Sequence, residues 1–395
     1  MLIKKLLRVF GLIKFLFSKK ISFSEPKKKE VIILDDVSSK DIIPLVNEYS
    51  YSVLPVRKDN IKEINLSFPL LKLMILKFFR MKLKNNYLTS IIQIINPKLV
   101  ITYIDNSIEY YDAAKFFNKK IKFLAIQNAS RVNTLADNHQ KVEMRKVIFH
   151  QEYAHFGEYE KKIYKKNKIL RFFKVGSLKL SHALNYFKKK KIKINKNRFD
   201  ICLVSDNAWG YDKKYNISGL EDSWGKVYEY TLRFCKKNNK KLAFVSDSNY
   251  GDKSKDSRRW IEMEKNFYEK YLSNHKYKII PRYSKKYTTY RYMLESKLVI
   301  GVITTVLTEA LAANKKILAC NFTNVKDFDL PLRKTSLHDC SYQMFEKKLN
   351  KILNLSTKKY HSLLGKDKNY LIDINSFKNS TYDILKRRIY KLVSN

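Results

Sequence analysis

Short runs of branched apolar residues alternate with helical stretches along this chain, and the series runs through twice. The first series predicts strands at Val31–Leu34, Ser52–Val56, Leu99–Ile104 and Lys122–Ile126, and continues through residues 147–153 and 171–177. The second predicts strands at Asp200–Val204, Lys241–Val245, Tyr277–Pro281, Leu298–Gly301 and Ile317–Cys320. Helices are expected over residues 68–95, Tyr110–Asn118, 222–237, 256–273, Tyr287–Glu295 and Thr308–Asn314. A wholly apolar strand needs cover on both faces, and strands separated by helices pair in parallel. Most of these strands stop at polar clusters: Asp35-Asp36, Asp105-Asn106, Gln127-Asn128, Ser205-Asp206-Asn207 and Ser246-Asp247-Ser248. In open parallel sheets, ligands bind at those ends. The expected fold class is α/β, with two Rossmann-like domains facing a cleft.

Residues Lys188–Asn197 are strongly basic and almost lack apolar side chains, so they are the expected connection. The expected units are residues 30–187, residues 198–350, and C-terminal helices over 351–395. The chain has 395 residues, too many for one core of typical size. At its start, Lys4, Lys5, Arg8, Lys14 and Lys19 fall on one side of a helix, with Leu2, Leu6, Phe10, Ile13 and Phe17 on the other. That pattern predicts a basic amphipathic segment over residues 1–25, lying on an anionic membrane surface or packed on its own domain. No uncharged apolar run reaches the roughly 18 residues of a membrane span.

The formal charge is +43, from 80 Lys and Arg against 37 Asp and Glu. Either the chain meets a polyanion or an anionic membrane, or the excess reflects a Lys-rich composition. The lysines are spread along the chain rather than gathered in one patch, so nucleic acid is not an expected partner. The four cysteines (Cys202, Cys235, Cys320 and Cys340) make no CxxC pair, which excludes the usual zinc knuckle. A P-loop and a G-x-S-x-G elbow are both missing, which argues against a kinase or a hydrolase.

The chemistry concentrates in LVIGVITTVLTEALAANKKILACNF, residues 298–322: strand, turn, helix, strand. Thr304 and Thr305 fall at the helix start, where free backbone N–H groups and the helix dipole favour an anion. Glu309 follows one turn later and suits ribose hydroxyls or a base edge rather than phosphate. The same residues also suit a plain Thr N-cap on a structural helix.

The stretch Tyr290–Phe322, with Leu298-Val299-Ile300-Gly301, Thr304-Thr305 and Glu309-Ala310, resembles the donor lobe of GT-B glycosyltransferases of bacterial surface-carbohydrate (lipopolysaccharide and capsule) biosynthesis. LVITYIDN at Leu99–Asn106, FLAIQNASR at Phe123–Arg131, His155-Phe156-Gly157-Glu158 and Val175-Gly176-Ser177 resemble further signatures of that group. The chain departs from the pattern with Ala129 in place of Gly and with a Thr pair in place of Ser. The resemblance covers roughly residues 30–325. It implies metal-independent transfer of a sugar from a CMP- or UDP-linked donor, including CMP-activated ulosonic acids such as Kdo, to a glycan or glycolipid. It implies no cofactor; taken with the basic amphipathic start, it points to a location on the cytoplasmic face of the cell membrane. A related alternative is transfer of glycerol phosphate to a surface polymer. From another class comes a non-catalytic polyanion binder.

Candidate catalytic groups are Asp105, as a base toward the acceptor or as an Asx turn, and Asp206, as a charge stabiliser, a nucleophile or a turn residue. Donor binding is expected of Gly301, Thr304, Thr305, Glu309, Arg282 and Asp247. Acceptor binding is expected of Gln127, Asn128, Arg131 and His155, with Arg131 suited to a bidentate carboxylate contact.

Overall fold

The computed structural model describes residues 18–37, 39–77, 83–118, 120–130, 149–163, 168–206, 219–302, 304–323, 328–365, 370–373 and 380–394. The amphipathic start over residues 1–17 and Arg131 lie outside them. Two six-stranded parallel sheets form, one in each half of the chain.

The first half opens with β1 (Lys20–Ser22), β2 (Val31–Leu34), α1 (Ser39–Val46), β3 (Tyr51–Leu54) and β4 (Glu63–Asn65). It continues with α2 (Phe68–Lys77), α3 (Leu83–Ile95), β5 (Leu99–Thr102), α4 (Ile108–Phe117) and β6 (Lys122–Ile126). β7 (Phe149–His155), α5 (Tyr159–Ile163), β8 (Lys168–Lys174) and α6 (Leu178–Lys189) complete it. Its sheet has the order β3-β2-β5-β6-β7-β8, while β1 and β4 pair separately. β2 and β5 are buried at every position, as continuous apolar runs between two helix layers require. The helical region expected over 68–95 contains two helices, α2 and α3.

The second half runs β9 (Phe199–Val204), α7 (Leu220–Lys237), β10 (Leu242–Asn249), α8 (Lys255–Leu272), β11 (Ile279–Arg282), α9 (Thr288–Glu295), β12 (Ser296–Gly301), α10 (Thr305–Ala312), β13 (Lys316–Asn321) and β14 (Ser336–His338). Then come α11 (Tyr342–Asn354), α12 (Thr357–Leu364) and α13 (Thr381–Ser394). The sheet order is β11-β10-β9-β12-β13-β14. The winding reverses between β9 and β12, which opens a crevice at their carboxyl ends. In the first sheet the same reversal falls between β2 and β5.

The C-terminal helices divide between the lobes. Lys316 donates to the carbonyls of Ile352, Leu353 and Leu355 at 2.7–2.9 Å, a cation at the carboxyl end of α11. α13 instead returns to the first lobe, where Leu385, Ile389, Leu392 and Val393 join the core of Val31, Ile33 and Ile101. Each such fully buried side chain contributes about 1.5–3 kcal/mol. Tyr382 donates to the Pro44 carbonyl at 2.6 Å, and Arg388 pairs with Glu152. On the way back the chain passes Gly157, where a Cβ would stand 2.4 Å from the Leu371 carbonyl carbon. Gly157 is therefore required by backbone packing. Cys202, Cys235 and Cys320 are buried free thiols, with Cys202 pushed up to about 12 by desolvation.

Candidate functional site

A cavity of about 760 Å³ lies between the lobes. Its first-lobe wall comes from the start of α1 (Lys40, Asp41), from Asn128-Ala129-Ser130 after β6, and from Lys179 and Tyr186 of α6. Its second-lobe wall comes from the ends of β9, β10 and β11, from α7 and α9, and from Thr304, Thr305, Val306 and Glu309 at the start of α10. The winding reversal of the second sheet thus opens straight into it.

Asp206 follows β9, and its carboxylate accepts the Val302 N–H at 3.3 Å, across the reversal. Its own N–H donates to the Tyr228 hydroxyl at 2.8 Å. Asp206 therefore faces the cavity while fixing the turn that leads into α10. In that turn, a Cβ on Gly301 would stand 2.7 Å from the Thr304 methyl, so a side chain there would push the cap aside. Thr304 is the N-cap of α10 and accepts from Val306 N–H at 3.4 Å. Thr305 Oγ1 accepts the Ser130 N–H from the other lobe at 3.1 Å. In both bonds the threonine oxygen is the acceptor, which leaves each hydroxyl hydrogen to donate.

Glu309 is 1% exposed. Its carboxylate accepts from Ser177, the N-cap of α6, and from Tyr290 at 3.0 and 3.1 Å. Burial pushes its carboxyl up to about 7, against the pull of Ser177, Lys179 and Tyr290. Glu309 thus joins the two lobes from the cavity wall. Asp247 faces Arg282 across 3.5 Å, and burial raises its carboxyl despite that guanidinium. Behind them Glu264, fully buried, accepts from the N–H groups of Asp247 and Ser248 at 2.8 and 3.2 Å and from Ser246 at 2.8 Å. It holds the end of β10 open toward the cavity.

The acceptor-side expectations change. Asp105 is fully buried and does not line the cavity. Its carboxylate accepts from Tyr153 at 2.9 Å and from Asn128 N–H at 3.3 Å. A general base needs a path to its proton; Asp105 has none here, and instead it positions Asn128. Gln127 is equally enclosed: it donates to Ala129 O and Glu160 at 2.9 and 2.6 Å and accepts from Phe156 N–H at 2.6 Å. With its amide so engaged, it is not an acceptor ligand. His155 is buried and bonded through Nδ1 to Gly157 O at 2.8 Å, and desolvation pulls it down to about 4. So enclosed, the imidazole does not line the cavity where an acceptor would meet it. Of the described acceptor residues only Asn128 lines the cavity. Ala129 is not among the residues with positive φ, so the turn forms without the conformation that a Gly would favour.

Sequence reasoning missed several wall residues. Asp41 and Lys179 lie in α1 and α6, two helices that no expectation covered. Trp224 and Thr289 are further wall residues that no expectation named; their Nε1 and Oγ1 atoms, like Nε of the expected donor residue Arg282, are buried with no hydrogen-bond partner. Tyr287 adopts φ 50°, a strained conformation for a bulky residue, and stands 5.4 Å from the Tyr186 ring of the other lobe. Among the described residues no group of three or more His, Cys, Asp or Glu is assembled as a metal site, and no helix is long and apolar enough to cross a membrane.

No family model and no curated protein matches the sequence. Solved structures match over nearly the whole chain. A UDP-GlcNAc 2-epimerase from Neisseria meningitidis bound to UDP-GlcNAc aligns with TM-score 0.53 at 14% identity, over 91% of this chain and 99% of that one. An α,α-trehalose-phosphate synthase (UDP-forming) from Burkholderia vietnamiensis gives 0.51 at 8%, over 93% and 100%. A UDP co-structure of S. aureus MnaA gives 0.51 at 12%, over 95% and 97%. Two parallel Rossmann-like halves, the cavity between them and these likenesses together identify the fold as GT-B.

Proposed function

We propose that the protein is a glycosyltransferase that binds a nucleotide sugar in the interlobe cavity. The observation that carries this reading is a set of buried donors, on residues of the cavity wall, that have no hydrogen-bond partner: Trp224 Nε1, Arg282 Nε and Thr289 Oγ1. Indole and guanidinium groups only donate, so the ligand must offer acceptors. A nucleotide has them in its phosphates and its base carbonyls. The amino end of α10, with the hydroxyl hydrogens of Thr304 and Thr305, suits the phosphate. Lys179 and Arg282 add positive charge at the same wall. Nucleotide binding in GT-B neighbours, such as UDP-GlcNAc in the meningococcal epimerase, supports the ligand class.

In this reading Asp206, with Asp41 from the opposite lobe, takes the carboxylate role first expected of Asp105. Both line the cavity. The acceptor is a surface glycan or glycolipid, and the donor carries CMP or UDP.

Thermal-shift titration with UDP, CMP and their sugar conjugates tests the reading. A shift with one nucleotide series and none with the other selects the donor; none with any nucleotide rejects the proposal. Incubating the responsive sugar nucleotide with and without glycan acceptor separates activities. Acceptor-dependent release of the nucleotide supports transfer. An epimer of the donor formed without acceptor replaces transfer by epimerisation.

A further inference from the structure

The outer side of α2 is apolar. Its exposed positions are Phe68, Pro69, Leu71, Lys72, Ile75 and Leu76. Phe68, Ile75 and Leu76 are 79%, 73% and 67% exposed. The opposite side supplies Leu70, Leu73 and Met74 to the first-lobe core. A helix apolar on both sides is normally covered on both. A second segment adds to the patch: Phe23, 72% exposed, sits between Ser22 and Ser24, and both of these bond the 65–66 strip that leads into α2. At the far end, Lys77 lies 4.9 Å over the ring of Phe116, itself 44% exposed.

The charge around this patch is cationic. Three nearby acids are already engaged, Glu63 with Lys20 at 3.3 Å, Glu109 with Lys84, and Asp112 with Asn85 at 2.5 Å, and Glu25, two residues from Phe23, is followed closely by Lys27, Lys28 and Lys29. Lys72 stands within the apolar face. The chain as a whole carries +43.

We propose that α2 and Phe23 form a docking face for an anionic lipid bilayer. Phe68, Ile75, Leu76 and Phe23 enter the boundary between headgroups and acyl chains, and Lys72 meets lipid phosphate. Such a surface satisfies both halves of the patch at once, apolar side chains and ammonium groups, and the net charge draws the protein to it. The contact belongs to the first lobe itself and needs no contribution from residues 1–17.

Co-sedimentation of the full chain with phosphatidylglycerol–phosphatidylcholine vesicles tests this, with phosphatidylcholine vesicles alone as the second arm. The triple variant Phe68→Ser, Ile75→Ser, Leu76→Ser is expected to lose at least about tenfold in partitioning onto anionic vesicles. Its melting temperature and its response to nucleotide stay as in the wild type. Lys72→Glu is expected to lose about fivefold, on anionic vesicles only. In a chain lacking residues 2–17, the serine substitutions cause the same proportional loss. Equal partitioning of wild type and triple variant overturns the proposal. So does a wild type that ignores vesicles but forms a dimer which the serine substitutions dissociate, because the face then serves a second copy of the chain.

Discussion

The two lobes repeat one architecture and use its strand ends in opposite ways. In the first lobe Asp105, Gln127 and His155 lie at strand ends and are buried, each bonded to its own lobe. In the second lobe Asp206, Asp247, Thr304 and Thr305 lie at strand ends and open into the cavity. Position at a strand end locates a candidate; the hydrogen bonds already made decide whether it can act. The first lobe reaches the cavity by other means, with the first turn of α1, the backbone after β6 and the start of α6.

This contrast predicts different outcomes for similar substitutions. The largest effect is expected at Asp105. Asp105→Ala leaves the Tyr153 hydroxyl and the Asn128 N–H without their buried partner and costs on the order of 3 kcal/mol of stability. Differential scanning calorimetry reads this as a lowered melting temperature; an unchanged value would mean that the carboxylate is not structural. Next is Arg282→Ala, expected to weaken nucleotide binding by at least about tenfold with little loss of stability. Isothermal titration measures it, and unaltered affinity removes Arg282 from the donor wall.

An effect of similar size separates the lobes by pH. Glu309 is raised from 4.5 to about 7, so the folded state holds a proton that the unfolded state has released. Its contribution to stability is greatest below pH 4.5, declines as pH rises through 7, and is then lost. His155 is lowered from 6.5 to about 4, so the unfolded state takes up a proton first. Its contribution is present above pH 6.5 and is lost as pH falls toward 4. Glu309→Gln should therefore stabilise the protein at pH 8 relative to wild type by on the order of 2 kcal/mol, with the gain vanishing near pH 4.5. A melting-temperature difference that does not change with pH contradicts this. The smallest effect is Trp224→Phe, which keeps the ring and removes one donor: about fivefold weaker nucleotide binding and an unchanged fold. Full affinity in that variant would mean that the indole N–H faces no ligand.

Much of the fold was legible in the chain. The buried strands carry their own signal, because wholly apolar runs such as Val31–Leu34 and Leu298–Gly301 fit little else between polar ends. The boundary misses are ones of register, as with β7 and β8, whose mixed sequences FHQEYAH and KILRFFK alternate too weakly to fix an end. The site was half legible. Thr304-Thr305 could be read from local helix-start chemistry, and Asp206 from its strand. The fate of Asp105 could not, since it depends on Tyr153, some fifty residues away and brought near by the sheet. Likewise Glu309 carries a local signature, but its bond to Ser177 joins the lobes through tertiary structure alone.

The central claim is that a nucleotide phosphate sits at the amino end of α10. A crystal structure of the protein soaked with whichever nucleotide, UDP or CMP, shifts its melting temperature tests it most directly. The account predicts phosphate oxygens about 3 Å from the Thr304 and Thr305 hydroxyls, with the base on the Trp224 side of the cavity. A nucleotide bound with its phosphates away from that turn, or outside the cavity, would contradict it.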